Sequence, residues 1–246
     1  MLSNIVVVLF KPKFPENIGM VARACVNMGV DEIVVVAPER WDVAVSSAVA
    51  TPKGAGIVAS IRVVDSLQEA VTDCHYVYGT IARIGGWRSE LLSPEKASSR
   101  ITEQIHEDAR VAVLFGPEDR GLTNEETDVC SHLITIPVNP EASSLNLAQA
   151  VLIILYECFK HYASDAARPA KSAGRSPLCT HAEQDVVIRT LQETLVDIEY
   201  LPEENTEYFM QPMRRALQKM ALRRKEFSML MGICRQIQRK LSDRRA

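Results

Sequence analysis

The chain has 246 residues, 47% hydrophobic and 24% charged, with six cysteines and a formal net charge of −3. That length holds one large domain, or one domain with an appendage, and the apolar fraction suffices for a buried core, so disordered, collagen-like and disulfide-scaffold classes are excluded. The longest apolar runs, 5–10 and 151–156, fall far short of the roughly 20 residues of a membrane-spanning helix, and the opening Met-Leu-Ser-Asn has no basic region of the secretory kind, so a cytoplasmic protein off the membrane is expected.

In chain order, short β-branched runs at 5–10, 33–36, 61–64, 76–78, 111–115 and 133–136 predict buried strands of a parallel sheet. Helical patterns lie between most of them, at 17–28, 66–71, 94–106 and 123–130. Alternation at this spacing argues a doubly wound α/β domain. Segment 145–162 is apolar nearly all round, so the helix it predicts must be buried inside the domain or at a subunit interface. Segment 164–177 has linker composition, with Pro169, Gly174 and Pro177. Three helices are predicted beyond it, at 181–200, 206–225 and 226–241.

Charge is unevenly spread. Residues 181–212 carry net −7 and residues 213–246 net +9, against −5 for everything before. An acidic helix followed by a basic one reads either as two helices paired by charge or as a basic face for nucleic acid. On this feature alone the pairing is slightly favoured. Neither the cysteines nor the histidines form a catalytic or metal set: no C-x-x-C occurs, and no histidine stands at ligand spacing from a cysteine, so no metal is expected.

Ligands of open parallel sheets bind beyond the carboxyl ends of the strands. Here three such ends run into Gly79-Thr80-Ile81-Ala82-Arg83, Gly116-Pro117-Glu118-Asp119-Arg120-Gly121-Leu122, and the stretch 137–146 with Ser143, Ser144 and Asn146. Gly79, Gly116 and Gly121 would let backbone approach a flat ligand. Taken singly, each has a plainer use: a glycine closes a turn, Ser143 or Ser144 caps a helix, and Glu118 is a solvated charge. Their coincidence at three strand ends favours a ligand site. No G-x-G-x-x-G or phosphate-binding loop is present, and 11–16 offers no glycine-rich turn, which argues against a dinucleotide reductase. Arg23, six residues into a helix of small and apolar residues, reads as a surface ion pair or as a phosphate clamp.

Asn17–Ala24 (N-x-G-x-x-A-R-A), Phe115–Leu122 (F-G-P-E-x-x-G-L) and Ile136–Ala148 (I-P-V-N-P-x-x-S-S-L-N-L-A) together resemble the three ordered motifs of the SPOUT class of RNA methyltransferases, in its SpoU/TrmH branch of ribose 2′-O-methyltransferases. Within that branch the chain is most similar to the TrmJ group of tRNA (cytidine/uridine-2′-O-)-methyltransferases, by its immediate start at the first strand, its Gly-Thr-x-Ala-Arg loop, its length and its helical extension. The resemblance implies a trefoil-knotted, parallel-sheet SPOUT methyltransferase domain over 1–163, a flexible linker over 164–180 and a small C-terminal helical extension over 181–246 that binds tRNA. The implied activity is S-adenosylmethionine-dependent methylation of a cytidine or uridine ribose at the first nucleotide of the tRNA anticodon loop, position 32. Ribosomal RNA methylation and a non-catalytic RNA-binding homologue are the alternatives.

The resemblance also implies site residues. S-adenosylmethionine would be held by Thr80, Ile81 and Ala82, by Gly116 and Leu122, and by Ile136, Ser143, Ser144 and Leu145. Arg23 matches the family's catalytic arginine. A guanidinium with a pKa above about 12 is a poor base, so its expected work is to fix the substrate phosphate beside the 2′-hydroxyl. Asn17, Glu118, Ser144 and Asn146 match the polar cluster that would hold Arg23 and the ribose. The family completes its site across a homodimer, for which helix 145–162 offers an interface.

Overall fold

In the computed structural model, residues 2–81, 91–142, 144–164, 176–220 and 222–245 are described. They form two compact units, Met1–Ala173 and Gly174–Ala246. The expected positions Ala82, Arg83 and Ser143, and most of the expected linker, lie outside the described residues.

The first unit is built on a seven-stranded sheet. Its strands are β1 (Ile5–Phe10), β2 (Glu32–Val36), β3 (Arg62–Val64), β4 (Tyr76–Thr80), β5 (Leu91–Leu92), β6 (Val111–Phe115) and β7 (His132–Ile134), in the order β3-β2-β1-β6-β4-β7-β5. Every pairing is parallel. The central strands β1 and β6 are buried at every position, as a sheet covered on both faces requires. Helices α1 (Pro15–Met28), α2 (Val43–Val49), α3 (Pro52–Ala59), α4 (Leu67–Val71), α5 (Pro94–His106) and α6 (Leu147–Ser164) complete the unit.

Local chemistry sets the helix ends. Pro15 enters α1 at its first turn, where its missing N–H costs nothing, and Gly29 closes the helix in the left-handed region at φ 71°. Thr51 caps α3 and Ser93 caps α5 through their side chains, each followed by a proline. The pattern at 94–106 therefore matches α5 residue for residue. The expected helix at 123–130 is only a 3-10 turn, Glu126–Val129. There the Thr123 hydroxyl accepts from Glu126 N (3.2 Å) and the Thr127 hydroxyl donates to Asn124 O (2.6 Å), local bonds that compete with the helical ladder. Strand β7 starts and stops earlier than the 133–136 run and leaves Ile136 beyond the sheet. Helices α2 and α3 and the two-residue β5 were absent from the sequence expectation.

All six cysteines are free and buried, and burial pushes the thiols of Cys25, Cys74 and Cys158 up to about 12, so they stay protonated and inert. Among the described residues no group of three or more His, Cys, Asp or Glu is placed to hold a metal, and no helix is long and apolar enough to cross a membrane.

Helix α6 buries only one of its apolar faces within this chain. Leu147, Ala148, Val151, Ile154, Leu155 and Cys158 face the core, but Leu152, Tyr156 and Phe159 are exposed (40, 52 and 44%). At spacings of four and three residues these three form one apolar stripe.

The second unit consists of α7 (His181–Asp197), α8 (Thr206–Lys219) and α9 (Arg224–Arg245) around Cys179, Val187, Ile188, Leu201, Met210, Leu217 and Leu222. A capping box of Thr180 and Glu183 starts α7. An antiparallel bridge between Leu178 and Arg223 takes Arg223 out of helical conformation, so α8 ends at Lys219 rather than at the expected 225. Arg214 lies 3.7 Å from Asp185 and 3.5 Å from Glu207, and Arg224 lies 2.6 Å from Glu183, so acidic and basic helices do pair. Arg215, Lys219, Lys225, Arg235, Arg239 and Lys240 remain exposed to solvent. The charge pairing thus accounts for Arg214 and Arg224 and leaves these other cations in solvent.

Candidate active site

The carboxyl ends of the adjacent strands β6, β4 and β7 open into one cleft of about 640 Å³ including its mouth. Strand β4 contributes Thr80 and Ile81. The loop after β6 contributes Gly116, Pro117, Glu118 and Gly121. The segment after β7 contributes Ile136, Val138, Ser144 and Leu145. Six of the expected cofactor residues therefore line one space: Thr80, Ile81, Gly116, Ile136, Ser144 and Leu145. Leu122 does not line it; its side chain is 7% exposed and packs in the core with Val129, Cys130 and Leu133. The Thr80 hydroxyl donates to Leu114 O (3.1 Å), which ties its side chain to β6.

The glycines also make close approaches within the chain. A Cβ on Gly116 would come within 2.5 Å of the Gly121 carbonyl carbon and 2.6 Å of Leu122 N, and Gly121 itself sits at φ 69°. Both are required for loop 116–122 to fold back on its own backbone. A Cβ on Gly79 would meet the Cys130 sulfur at 2.5 Å, so this glycine serves core packing. The close approach is of chain to chain, and it shapes the cleft indirectly.

Beside the cleft runs a chain of hydrogen bonds whose direction is dictated by one carboxylate. Glu118 Oε2 accepts from Lys13 N (3.1 Å) and Oε1 accepts from Asn17 Nδ2 (2.9 Å). A carboxylate only accepts, so Asn17 must turn its NH₂ toward Glu118 and its oxygen outward. That oxygen accepts from Asn146 Nδ2 (3.0 Å), and Asn146 Oδ1 in turn accepts from Ala148 N (2.9 Å). Among the described residues it is Asn146, not Ser144, that supplies the side-chain bond at the start of α6. The relay joins residues 101 and 129 positions apart in the chain.

Asn17, Glu118 and Asn146 are therefore brought together as expected. Ser144 stands exposed at the cleft wall without joining the relay. Arg23 does not join it either. Six residues along α1 from Asn17 it is about 9 Å further along the axis and about 120° around the helix, exposed, with no hydrogen bond or ion pair to a described residue.

Two ion pairs pin the glycine loop from outside. Lys13 Nζ lies 2.8 Å from Asp119, and Arg120 binds both oxygens of Glu126 at 2.7 Å. The Lys13 bond holds the Asp119 carboxyl below the usual range. Partial burial is the largest influence on Glu126 and opposes its ionisation, but the Arg120 bond and charge together with the Thr123 bonds outweigh it, and its carboxyl also sits low. Lys13 was missed from sequence: its partners lie 105 and 106 residues away, and no local pattern marks them.

Comparison with known proteins accords with this geometry. Residues 4–156 match the SpoU rRNA Methylase family, and residues 183–246 match the C-terminal domain of the tRNA methyltransferase TrmJ. The chain is 36% identical to the tRNA (cytidine/uridine/adenosine-2′-O-)-methyltransferase TrmJ of Pseudomonas aeruginosa, covering 97% of this chain and 95% of that protein. It is 34% identical to the tRNA (cytidine/uridine-2′-O-)-methyltransferase TrmJ of Pectobacterium atrosepticum, covering 97% and 98%. Among solved structures, TrmJ from Z. mobilis superimposes with a TM-score of 0.78 at 32% identity, over 95% of this chain and 98% of that one.

Proposed function

Because the chain belongs to the SpoU methylase family, we propose that it methylates the ribose 2′-hydroxyl of cytidine or uridine at position 32 of the tRNA anticodon loop, using S-adenosylmethionine in the cytoplasm. The observation that carries this reading is the Glu118–Asn17–Asn146 relay, which links all three motif segments at the edge of a cleft formed by three neighbouring strand ends. The cleft fits the cofactor. Its walls are largely aliphatic (Ile81, Ile136, Val138, Leu145), and the Glu118 carboxylate at its edge suits a cationic sulfonium. Thr80, Ile81, Gly116, Ile136, Ser144 and Leu145 would hold it, with Ala82 and Ser143 completing the loops and Leu122 supporting them from the core.

Bound there, the cofactor would supply an electrophilic methyl for the 2′-oxygen, with a neutral thioether as its leaving group. Asn17 and Asn146 orient the ribose, and their locked amides make that orientation unique. Much of the rate then comes from alignment of hydroxyl and methyl. Arg23 fixes the neighbouring phosphate, which shares the hydroxyl proton, because a guanidinium always stays charged.

The position of Arg23 off the relay supports a site completed across a homodimer, with Arg23 serving the partner's cleft. The stripe Leu152, Tyr156 and Phe159 supports the same assembly, since such a face is covered most simply by a second copy. The trefoil knot belongs to this reading; the ends of β4 and β6 and the segment after β7, which such a knot brings together, line one cleft. The exposed cations of 213–246 would bind the tRNA body.

Incubating the protein with labelled S-adenosylmethionine and, in parallel, unmodified total tRNA and ribosomal RNA, followed by nucleoside analysis, tests the proposal. Label in 2′-O-methylcytidine or 2′-O-methyluridine from tRNA is expected. Label in ribosomal RNA alone, or in neither, refutes it. Removing residues 174–246 is expected to weaken tRNA binding and flatten its salt dependence while cofactor binding persists.

A further inference from the structure

The turn between β1 and α1 carries an aromatic side chain that the core does not use. Phe14 is 52% exposed. It is the residue before α1 and caps the helix with its backbone only: its carbonyl accepts from Asn17 N at 3.0 Å, and its side chain makes no cap. The turn is nevertheless held at both ends by one group. Glu118 accepts from Lys13 N through one oxygen and from Asn17 Nδ2 through the other. Lys13 Nζ is pinned again by Asp119 at 2.8 Å, and Pro15 restricts the backbone of Phe14 before it to the extended region (φ −116°, ψ 118°). Phe14 thus presents an exposed apolar ring on a clamped turn, three residues before Asn17 of the polar relay.

Exposing such a ring loses hydrophobic stabilisation, and holding it in a clamped turn removes the freedom to fold it away. Exposed cations stand near it among acids: Lys11, whose Nζ lies 5.1 Å from the Phe10 ring centroid, and Arg40, brought toward this turn by the bond from Glu39 N to Pro12 O (3.2 Å), with Glu16, Glu39 and Asp119 also exposed. Single-stranded RNA is recognised by splayed bases stacked on aromatic side chains, with cations taking the phosphates.

We propose that Phe14 is a substrate-positioning residue: its ring stacks on the nucleobase of the nucleotide whose ribose lies at the Asn17–Asn146 relay. This rests on the ribose-methylation reading. Stacking would present any pyrimidine in the same pose and explain how a site whose polar groups address the sugar still fixes the base. Phe14 takes no part in the chemical step.

The test compares wild type with Phe14→Ala, Phe14→Leu and Phe14→Trp, on an unmodified tRNA and on the same tRNA made abasic at the methylated nucleotide. On normal tRNA, Phe14→Ala and Phe14→Leu should each lose about ten-fold in kcat/KM and Phe14→Trp should stay within about three-fold of wild type. S-adenosylhomocysteine affinity and sedimentation should be unchanged in all three. The abasic tRNA should cost the wild type about the same ten-fold, and Phe14→Ala should then cost nothing more. Rescue by leucine, or losses from Phe14→Ala and from the abasic site that multiply, would overturn the stacking role. Wild type that methylates no tRNA would overturn the ribose-methylation reading itself, and that is seen before any variant is made.

Discussion

Replacing Asn17 by aspartate probes the relay with a change of one atom type. The new oxygen stands where Asn17 Nδ2 now donates to Glu118 Oε1 at 2.9 Å. A charge-assisted hydrogen bond worth about 1.5–3 kcal/mol is lost. Two carboxylates are also forced together; at about 4 Å and an effective dielectric of about 20 they repel by about 4 kcal/mol, and roughly half of that survives at half-buried positions. The sum is about 3–5 kcal/mol, or a loss of at least 100-fold in kcat/KM at about pH 8. The variant should recover on acidification. Two facing carboxyls share a proton, so the pair acquires an apparent pKa above the ordinary carboxylate range. A carboxyl whose folded pKa is raised is best accommodated below that pKa and destabilises the fold as the pH rises through it. Lowering the pH from about 9 to about 6 should therefore close part of the gap to wild type for Asn17→Asp but not for Asn17→Ala, which has no proton to bind. Methyl transfer and thermal melting across that range read both effects. Asn17→Asp within about three-fold of wild type at about pH 8, or a deficit with the same pH profile as that of Asn17→Ala, would refute the role given to the relay.

Further outcomes follow from the same geometry. Gly116→Ala puts a methyl 2.5 Å from the Gly121 carbon, which is backbone and cannot step aside; the loop must reshape, with a loss of about 1–3 kcal/mol in stability and at least about ten-fold in cofactor affinity by calorimetry. Arg23 is exposed and has no hydrogen bond or ion pair to a described residue, so Arg23→Ala should leave the melting temperature and cofactor affinity nearly unchanged while abolishing methylation, and Arg23→Lys should fail as well, since an ammonium cannot reproduce a bidentate phosphate clamp. Near-normal turnover in either variant would remove Arg23 from the mechanism. Leu152→Glu, which places a charge in the exposed stripe of α6, should turn a dimer into a monomer by sedimentation and cost activity together with assembly; an unchanged sedimentation coefficient would move the interface elsewhere.

Much of this protein is written locally. Each long β-branched run became a parallel strand because a strand covered on both faces needs no polar alternation, and proline at the start of α5, like glycine just past the end of α1, marks a helix end through its own backbone limits. Three motif segments were legible as one site because the ends of parallel strands lie on one edge of a sheet. The two-residue β5 could not be read, since two leucines carry no period, and α2 and α3 are too short to show a face. Tertiary structure alone decided which groups meet. That Asn17 donates to Glu118 and accepts from Asn146, that Gly116 makes room for Gly121, and that α6 keeps a second apolar face out of its own core all depend on partners 5 to 129 residues away. Hydrophobic period and capping chemistry act over a few residues, whereas the direction of a hydrogen bond is set by whichever group packing brings opposite it, and here that group is a carboxylate that can only accept.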